Sequence, residues 1–113
     1  RSAYNYSPVA DDSLIMRYYD LALRQGTRKA IILRSSLADR SFNDDQLSSL
    51  GLPTLILWGR EDSLIDVSIA NRFSEALPDS TLIIYDRVGH MPMEEIPQRS
   101  AMDVKQFMAG LNR

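Results

Sequence analysis

Residues 51–111 carry two short apolar runs separated by a segment with helical spacing. The runs cover residues 53–59 and 81–85, and each is continuous and followed by turn residues, as is typical of strands buried on both faces of a sheet. Residues 67–77 repeat apolar side chains at helical spacing, with Asp66 placed to cap the helix start. Strands joined by a helix are parallel, and the crossover is right-handed almost without exception. The pattern therefore predicts an α/β architecture with a parallel sheet.

The remainder of the pattern is mostly helical. A last helix is predicted from about residue 98 to 111. Four of its apolar side chains are expected to face inward: Met102, Phe107, Met108 and Leu111. Before residue 51 the sequence predicts a loop over residues 1–10, followed by a helix that ends at Gly26 and a second helix from Thr27 to about Leu37. A polar loop then leads into a short helix that includes Leu47 and Leu50.

The chain is too short to complete such a sheet. Its 113 residues allow one domain at most, and two strands are too few for a complete parallel sheet, which needs helices on both faces. We therefore expect one end of a larger α/β domain, whose other strands lie on a missing N-terminal segment or on a second chain. The first residue is Arg1 rather than Met, which leads us to expect a processed or truncated product.

Composition excludes several kinds of function. A net charge of −2 argues against a nucleic-acid or anionic-membrane surface, because both need clustered Lys and Arg. The longest uninterrupted stretches of strictly apolar residues, such as residues 55–58, are four or five residues long, far short of a membrane span. With no Cys and a single His, thiolate catalysis, disulfides and any site built from two imidazoles are excluded.

Asp62 and His90 each follow one of the two predicted strands. Parallel strands deliver their C-terminal ends to one edge of the sheet, and neighbouring ends lie roughly 5–10 Å apart. A carboxylate–imidazole hydrogen bond is therefore feasible, in which the Asp fixes the tautomer and the His acts as general base and then acid. Two alternatives stay open: structural roles for both residues, and Asp86, four residues before His90, as the carboxylate partner.

Two segments resemble the α/β-hydrolase-fold superfamily in sequence and in spacing. They are Pro53-Thr54-Leu55-Ile56-Leu57-Trp58-Gly59-Arg60-Glu61-Asp62 and Gly89-His90-Met91-Pro92-Met93-Glu94-Glu95-Ile96-Pro97. The resemblance implies that Asp62 is the acid and His90 the base of a catalytic triad, and that Glu95 is a structural residue supporting the histidine loop. It also implies that residues 1–43 are the end of a helical cap and its connecting segment, and that residues 44–113 are an incomplete C-terminal part of the hydrolase core.

The resemblance implies hydrolysis of a small hydrophobic carboxylic ester by an upstream Ser, with no metal or organic cofactor. Ile65 and Met91, beside the acid and the base, are candidates for the substrate pocket. The Gly-x-Ser-x-Gly nucleophile motif and an oxyanion segment do not occur in residues 1–113, so we expect the isolated chain to be inactive.

Two further functions stay open at this point. An upstream Asp nucleophile would give epoxide or haloalkane hydrolysis, because the acid and histidine segments are alike across those subfamilies. The chain could instead be a non-catalytic fragment or truncated paralogue that associates through its exposed sheet edge.

Overall fold

A computed structural model describes residues 2–5, 7–36 and 44–111. The elements in chain order are a 3₁₀ helix (Ser2–Tyr4), α1 (Asp12–Leu23), α2 (Thr27–Ser36), α3 (Asp44–Ser48), β1 (Thr54–Gly59), α4 (Ser68–Ala76), β2 (Ser80–Tyr85), α5 (Pro92–Glu95) and α6 (Pro97–Leu111). Most of the predicted elements are present. The predicted end of the second helix at Leu37 and the start of the polar loop before α3 lie outside the described residues.

The two strands form a parallel pair, as the sequence predicts. The register runs from Thr54 opposite Ser80 to Gly59 opposite Tyr85, and α4 makes the connection between the strands. Both strands therefore end at the same edge. The loop after β1 (residues 60–67, the acid loop) and the loop after β2 (residues 86–91, the His loop) leave the sheet side by side.

Helices cover both faces of this pair. On one face, side chains of α3 and α4 pack with β1 and β2 around a buried cluster of Leu47, Ile56, Ala70 and Leu77, bordered by Trp58, Phe73, Ala76 and Leu82. On the other face lies α6, whose Asp103 accepts a 2.6 Å hydrogen bond from the hydroxyl of the fully buried Tyr85. Alternate side chains along each strand thus pack against opposite helical layers, because successive strand residues point to opposite faces of the sheet.

Burial is lower than the pattern predicts. In β1 only Ile56 and Gly59 are buried, and the remaining residues are half-buried. The inward orientation expected for the last helix is wrong for Met102, Met108 and Leu111, which are exposed. Two strands offer too narrow a surface to cover a 15-residue helix, so apolar positions suited to a wider sheet stay exposed in this chain.

The N-terminal part differs from the predicted loop. Residues 2–4 form a 3₁₀ helix, and Tyr4 packs with Ala10 and Leu14 in a second buried cluster that includes Ala3 and Met91 at its border. The carboxylate of Asp11 caps α1 by accepting the Leu14 N–H at 2.8 Å. This second cluster joins the N-terminal segment to the His loop. No helix in the described ranges is long and apolar enough to cross a membrane.

Candidate active site

Asp62 lies in the acid loop with its carboxylate held on both oxygens. Oδ1 accepts the backbone N–H groups of Leu64 (2.9 Å) and Ile65 (3.0 Å), and Oδ2 lies 2.7 Å from Nδ1 of His90. The side chain is only 3% exposed. Burial raises the pKa of Asp62, but the hydrogen bonds from His90 and the two N–H groups outweigh it, so the pKa lies below its ordinary value. The carboxylate is therefore ionised and fixed in orientation.

His90 lies in the His loop with one ring nitrogen engaged. The ionised Asp62 can only accept, so Nδ1 carries the proton, and Nε2 is the basic nitrogen of the neutral ring. Among the described residues Nε2 has no hydrogen-bond partner, and the side chain is 32% exposed. The backbone N–H donates to the carbonyl of Ala3 at 2.6 Å. This arrangement leaves an oriented imidazole whose Nε2 can take up a proton.

The two loops are held together by backbone contacts that only a glycine permits. A Cβ at Gly59 would overlap the backbone carbonyl oxygens of Val88 and Gly89. Glu61 and Val88 pair reciprocally: the Glu61 N–H donates to the Val88 carbonyl (3.0 Å), and the Val88 N–H donates to the Glu61 carboxylate (3.1 Å). The end of β1 therefore fixes the spacing between the loops that carry Asp62 and His90.

Asp86, the alternative partner suggested by the sequence, is directed elsewhere. Its carboxylate forms an exposed ion pair with the guanidinium of Arg60, which lowers the pKa of Asp86. The structure brings His90 to Asp62 instead. Asp86 is nearer to His90 in sequence, but the paired strand ends bring Asp62 closer to it in space.

Glu95 contacts the backbone on both sides of His90. Its Oε1 accepts the N–H of Gly89 at 2.9 Å and that of Met91 at 3.4 Å. Oε2 is buried and has no hydrogen-bond partner among the described residues. Burial is the main reason that the pKa of Glu95 lies above its ordinary value, although both N–H contacts lower it. The carboxyl group thus fixes the backbone of the His loop without contacting the imidazole.

Glu94 is a contact residue that sequence reasoning missed. Its carboxylate accepts the hydroxyls of Tyr4 (2.6 Å) and Tyr18 (2.9 Å), and it lies 3.8 Å from the guanidinium of Arg17. The tyrosine hydrogen bonds hold the pKa of Glu94 below its ordinary value, against the effect of burial. Tyr4 and Tyr18 precede it by 90 and 76 residues, so no local pattern could have revealed this contact.

One cavity adjoins the pair, and a second lies beside Met91. A small one of about 100 Å³ is lined by Asp62 and His90 together with Leu57, Trp58, Gly59, Pro92 and Met93. A larger, mainly apolar one of about 300 Å³ is lined by Met91 with Ala3, Tyr4, Ala10, Leu14, Ile15 and Tyr18. Met91 thus lies in a pocket wall. Ile65 is 42% exposed, donates its N–H to Asp62 and accepts the indole N–H of Trp58 at 3.3 Å.

Within the described ranges no group of three or more His, Asp or Glu side chains is arranged to hold a metal ion.

Known proteins with similar sequences or structures are α/β-hydrolases. Lipase 3 of Moraxella sp. (strain TA144) is 33% identical over 67 residues, which are 59% of this chain and 21% of the lipase. A 2-hydroxy-6-oxononadienedioate/2-hydroxy-6-oxononatrienedioate hydrolase of Paraburkholderia xenovorans (strain LB400) is 23% identical over 94% of this chain and 37% of its own length. No family model matches the chain.

A solved structure gives the same result. The crystal structure of a serine hydrolase involved in carbazole degradation (the CarC enzyme) superposes with a TM-score of 0.79 and 26% identity, over 88% of this chain and 40% of that one. The chain thus spans between about a fifth and two fifths of the length of these relatives. In sequence and in fold the chain is similar to α/β-hydrolases, and it matches a C-terminal part of that fold.

Proposed function

We propose that this chain supplies the acid and the base of a hydrolase that cleaves carboxylic esters through a Ser-His-Asp triad. The observation that carries the proposal is the 2.7 Å contact between Nδ1 of His90 and Oδ2 of a nearly inaccessible Asp62. A surface ion pair would not need the two further N–H bonds that fix the carboxylate. The relatives named as lipases and as a serine hydrolase support a Ser nucleophile.

In this proposal each group has a definite role. A serine hydroxyl attacks the ester carbonyl carbon, and its proton passes to Nε2 of His90. The Asp62 carboxylate stabilises the imidazolium that forms. The imidazolium then returns the proton to the leaving alcohol oxygen as the C–O bond breaks, which leaves an acyl-enzyme. Water, deprotonated by the same Nε2, hydrolyses that ester and restores the serine.

The nucleophile and the oxyanion donors come from outside residues 1–113 in this proposal. We propose that residues 1–43 are the end of the cap and its connecting segment, and that residues 44–113 are the C-terminal part of the core. The exposed apolar residues of α6 support a wider sheet supplied by an N-terminal segment or by a second chain. The chain on its own would then have a base with no hydroxyl to activate.

Alanine and amide variants test the triad. In the polypeptide that includes the nucleophile, His90→Ala should lower kcat for p-nitrophenyl butyrate by at least about 10⁴-fold, and Asp62→Asn by about 10²- to 10⁴-fold. Asp86→Asn is the matched control, because this carboxylate is close in sequence but is paired with Arg60. Near-normal rates in His90→Ala or Asp62→Asn would exclude the triad assignment. The isolated chain should show no turnover above its own His90→Ala variant.

A second substrate class is favoured by the extent of one alignment. The P. xenovorans hydrolase aligns with 94% of this chain, against 59% for Lipase 3. An alignment that long includes most of the N-terminal segment, whose side chains line the 300 Å³ cavity beside Met91. The same variants should therefore be assayed with a 2-hydroxy-6-oxo dienoic acid beside the p-nitrophenyl ester. A kcat/KM at least tenfold higher for the oxo acid would assign the chain to that class and would contradict the ester proposal.

A further inference from the structure

The carboxylate of Glu94 is the point at which the N-terminal segment is bound to the His loop. It accepts one tyrosine hydroxyl on each oxygen, from Tyr4 at 2.6 Å and from Tyr18 at 2.9 Å, and the guanidinium of Arg17 approaches to 3.8 Å. Hydrogen bonds to an ionised acceptor are about twice as strong as neutral ones. Three side chains from residues 4–18 therefore converge on one group that lies four residues after His90.

The same segment contacts His90 directly. Ala3, the residue before Tyr4, accepts the backbone N–H of His90 at 2.6 Å. The segment is so close that a Cβ at Gly89 would meet the Ala3 carbonyl oxygen at 2.6 Å and the Asn5 nitrogen at 2.7 Å. The Tyr4 side chain itself is only 9% exposed. Displacement of the Tyr4 ring would therefore move the carbonyl that holds the His90 backbone.

We infer that Glu94 is a positioning residue for His90: by binding Tyr4 and Tyr18 it holds residues 3–18 on the His loop, and that segment fixes the His90 backbone through the Ala3 carbonyl. The inference rests on the proposed role of His90 as general base. The binding of the N-terminal segment to the His loop and the position of His90 are then coupled. Glu94 acts through its neighbours and takes no part in proton transfer.

The carboxylate is a specific requirement of this arrangement. Both tyrosine hydroxyls donate to it, so both oxygens must accept. In a Glu94→Gln variant of nearly the same shape, one hydroxyl would have to accept from an NH₂ group instead of donating, and both hydrogen bonds would lose the negative charge that strengthens them. Tyr4→Phe and Tyr18→Phe each remove one hydroxyl and leave the packing ring in place. Asp44→Asn is the matched control, because Asp44 binds Arg72 at 2.8 Å on α3, away from the His loop.

The test combines kinetics with amide hydrogen exchange in the polypeptide that includes the nucleophile. Glu94→Gln should lower kcat about tenfold with KM changed less than about twofold, a smaller loss than the ~10²-fold that a 1 Å misplacement costs. Exchange of the peptide that contains the His90 amide should accelerate by a similar factor, while peptides from β1 stay protected. Tyr4→Phe combined with Glu94→Gln should cost less than the sum of the single changes, because both remove the same contact.

Two results would overturn the inference. Unchanged kcat and unchanged exchange of the His90 amide in Glu94→Gln would show that the contact of Glu94 with the two tyrosines does not affect the position of His90. Equal acceleration of exchange in the His loop and in β1 would show that Glu94 contributes only to global stability. If the unaltered protein has no His90-dependent turnover, the proposed function fails, and exchange alone decides whether Glu94 fixes the His90 backbone.

Discussion

Removal of the Glu95 acceptor should release the backbone that carries His90. Glu95→Ala leaves the Gly89 N–H without its 2.9 Å bond and the Met91 N–H without its weaker 3.4 Å bond. An unpaired buried donor costs about 1–3 kcal/mol, and the lost side-chain volume adds to this. We therefore expect the free energy of unfolding to fall by about 2–4 kcal/mol. In urea this shifts the midpoint by about 1–2 M at a slope of about 2 kcal/mol per M, the middle of the range for small proteins.

Glu95→Gln is the matched variant, because its amide oxygen can keep both bonds. Burial raises the pKa of Glu95 in the folded state above the ordinary value of 4.5. The folded state therefore binds more protons than the unfolded state just above pH 4.5, and the contribution of Glu95 to stability declines as pH rises through that window. Glutamine cannot ionise, so Glu95→Gln should gain stability relative to the unaltered protein between pH 4 and pH 7.

The assay is urea unfolding followed by tryptophan fluorescence at pH 4, 5.5 and 7, with kcat measured in the polypeptide that includes the nucleophile. Glu95→Ala should lose both stability and kcat, and Glu95→Gln should keep kcat. If Glu95→Gln is as destabilised as Glu95→Ala, the role of Oε1 as a backbone acceptor is refuted. If Glu95→Ala shifts the midpoint by less than about 0.3 M, the hydrogen bonds contribute too little to support the reasoning.

Three further predictions concern the surroundings of the pair. Gly59→Ala should lower the free energy of unfolding by about 3 kcal/mol or more, because its Cβ would overlap the carbonyls of the His loop. Gly110→Ala, in open space on α6, should raise it by about 0.5–1 kcal/mol. Chemical denaturation compares the two variants, and equal effects would contradict the close approach of Gly59 to the His loop. Tyr85→Phe should cost about 1–2 kcal/mol with kcat unchanged, because only the bond to Asp103 is lost; a kcat loss would indicate a role in the site. Because the pKa of Asp62 is lowered in the folded state, the ionised carboxylate stabilises the fold above the ordinary carboxyl range, and this stabilisation is lost as pH falls. Asp62→Asn should therefore flatten the acid side of the plot of stability against pH, and an unchanged acid side would refute the prediction.

Much of the core could be predicted because its signals are local. The apolar runs that became β1 and β2 are continuous and end in turns, and helical spacing predicted α4 between them. The parallel pairing then followed from the connection, and it brought Asp62 and His90 to one edge. The contact between the two side chains was predictable for the same reason: two strand ends and two short loops leave few places for either side chain.

Burial and the N-terminal contacts could not be predicted from the same signals. Periodicity identifies which side of a helix is apolar, but it does not show whether a neighbouring layer is present. The apolar side chains of Met102 and Met108 were therefore expected to face inward and are exposed. The 3₁₀ helix at Ser2–Tyr4 carries no periodic signal, and its place on the His loop depends on contacts about 90 residues apart in sequence.

The two adjacent glutamates contact the two segments that hold the backbone of His90, the His loop and the N-terminal segment. Neighbouring residues in a helix point about 100° apart, so Glu95 can face the His loop while Glu94 faces the N-terminal segment. Glu95 binds the N–H groups of residues 89 and 91, and the Ala3 carbonyl binds that of His90 between them. Three consecutive N–H groups are thus fixed by acceptors from two separate segments. The Asp62 hydrogen bond thus orients an imidazole whose backbone is held on both sides.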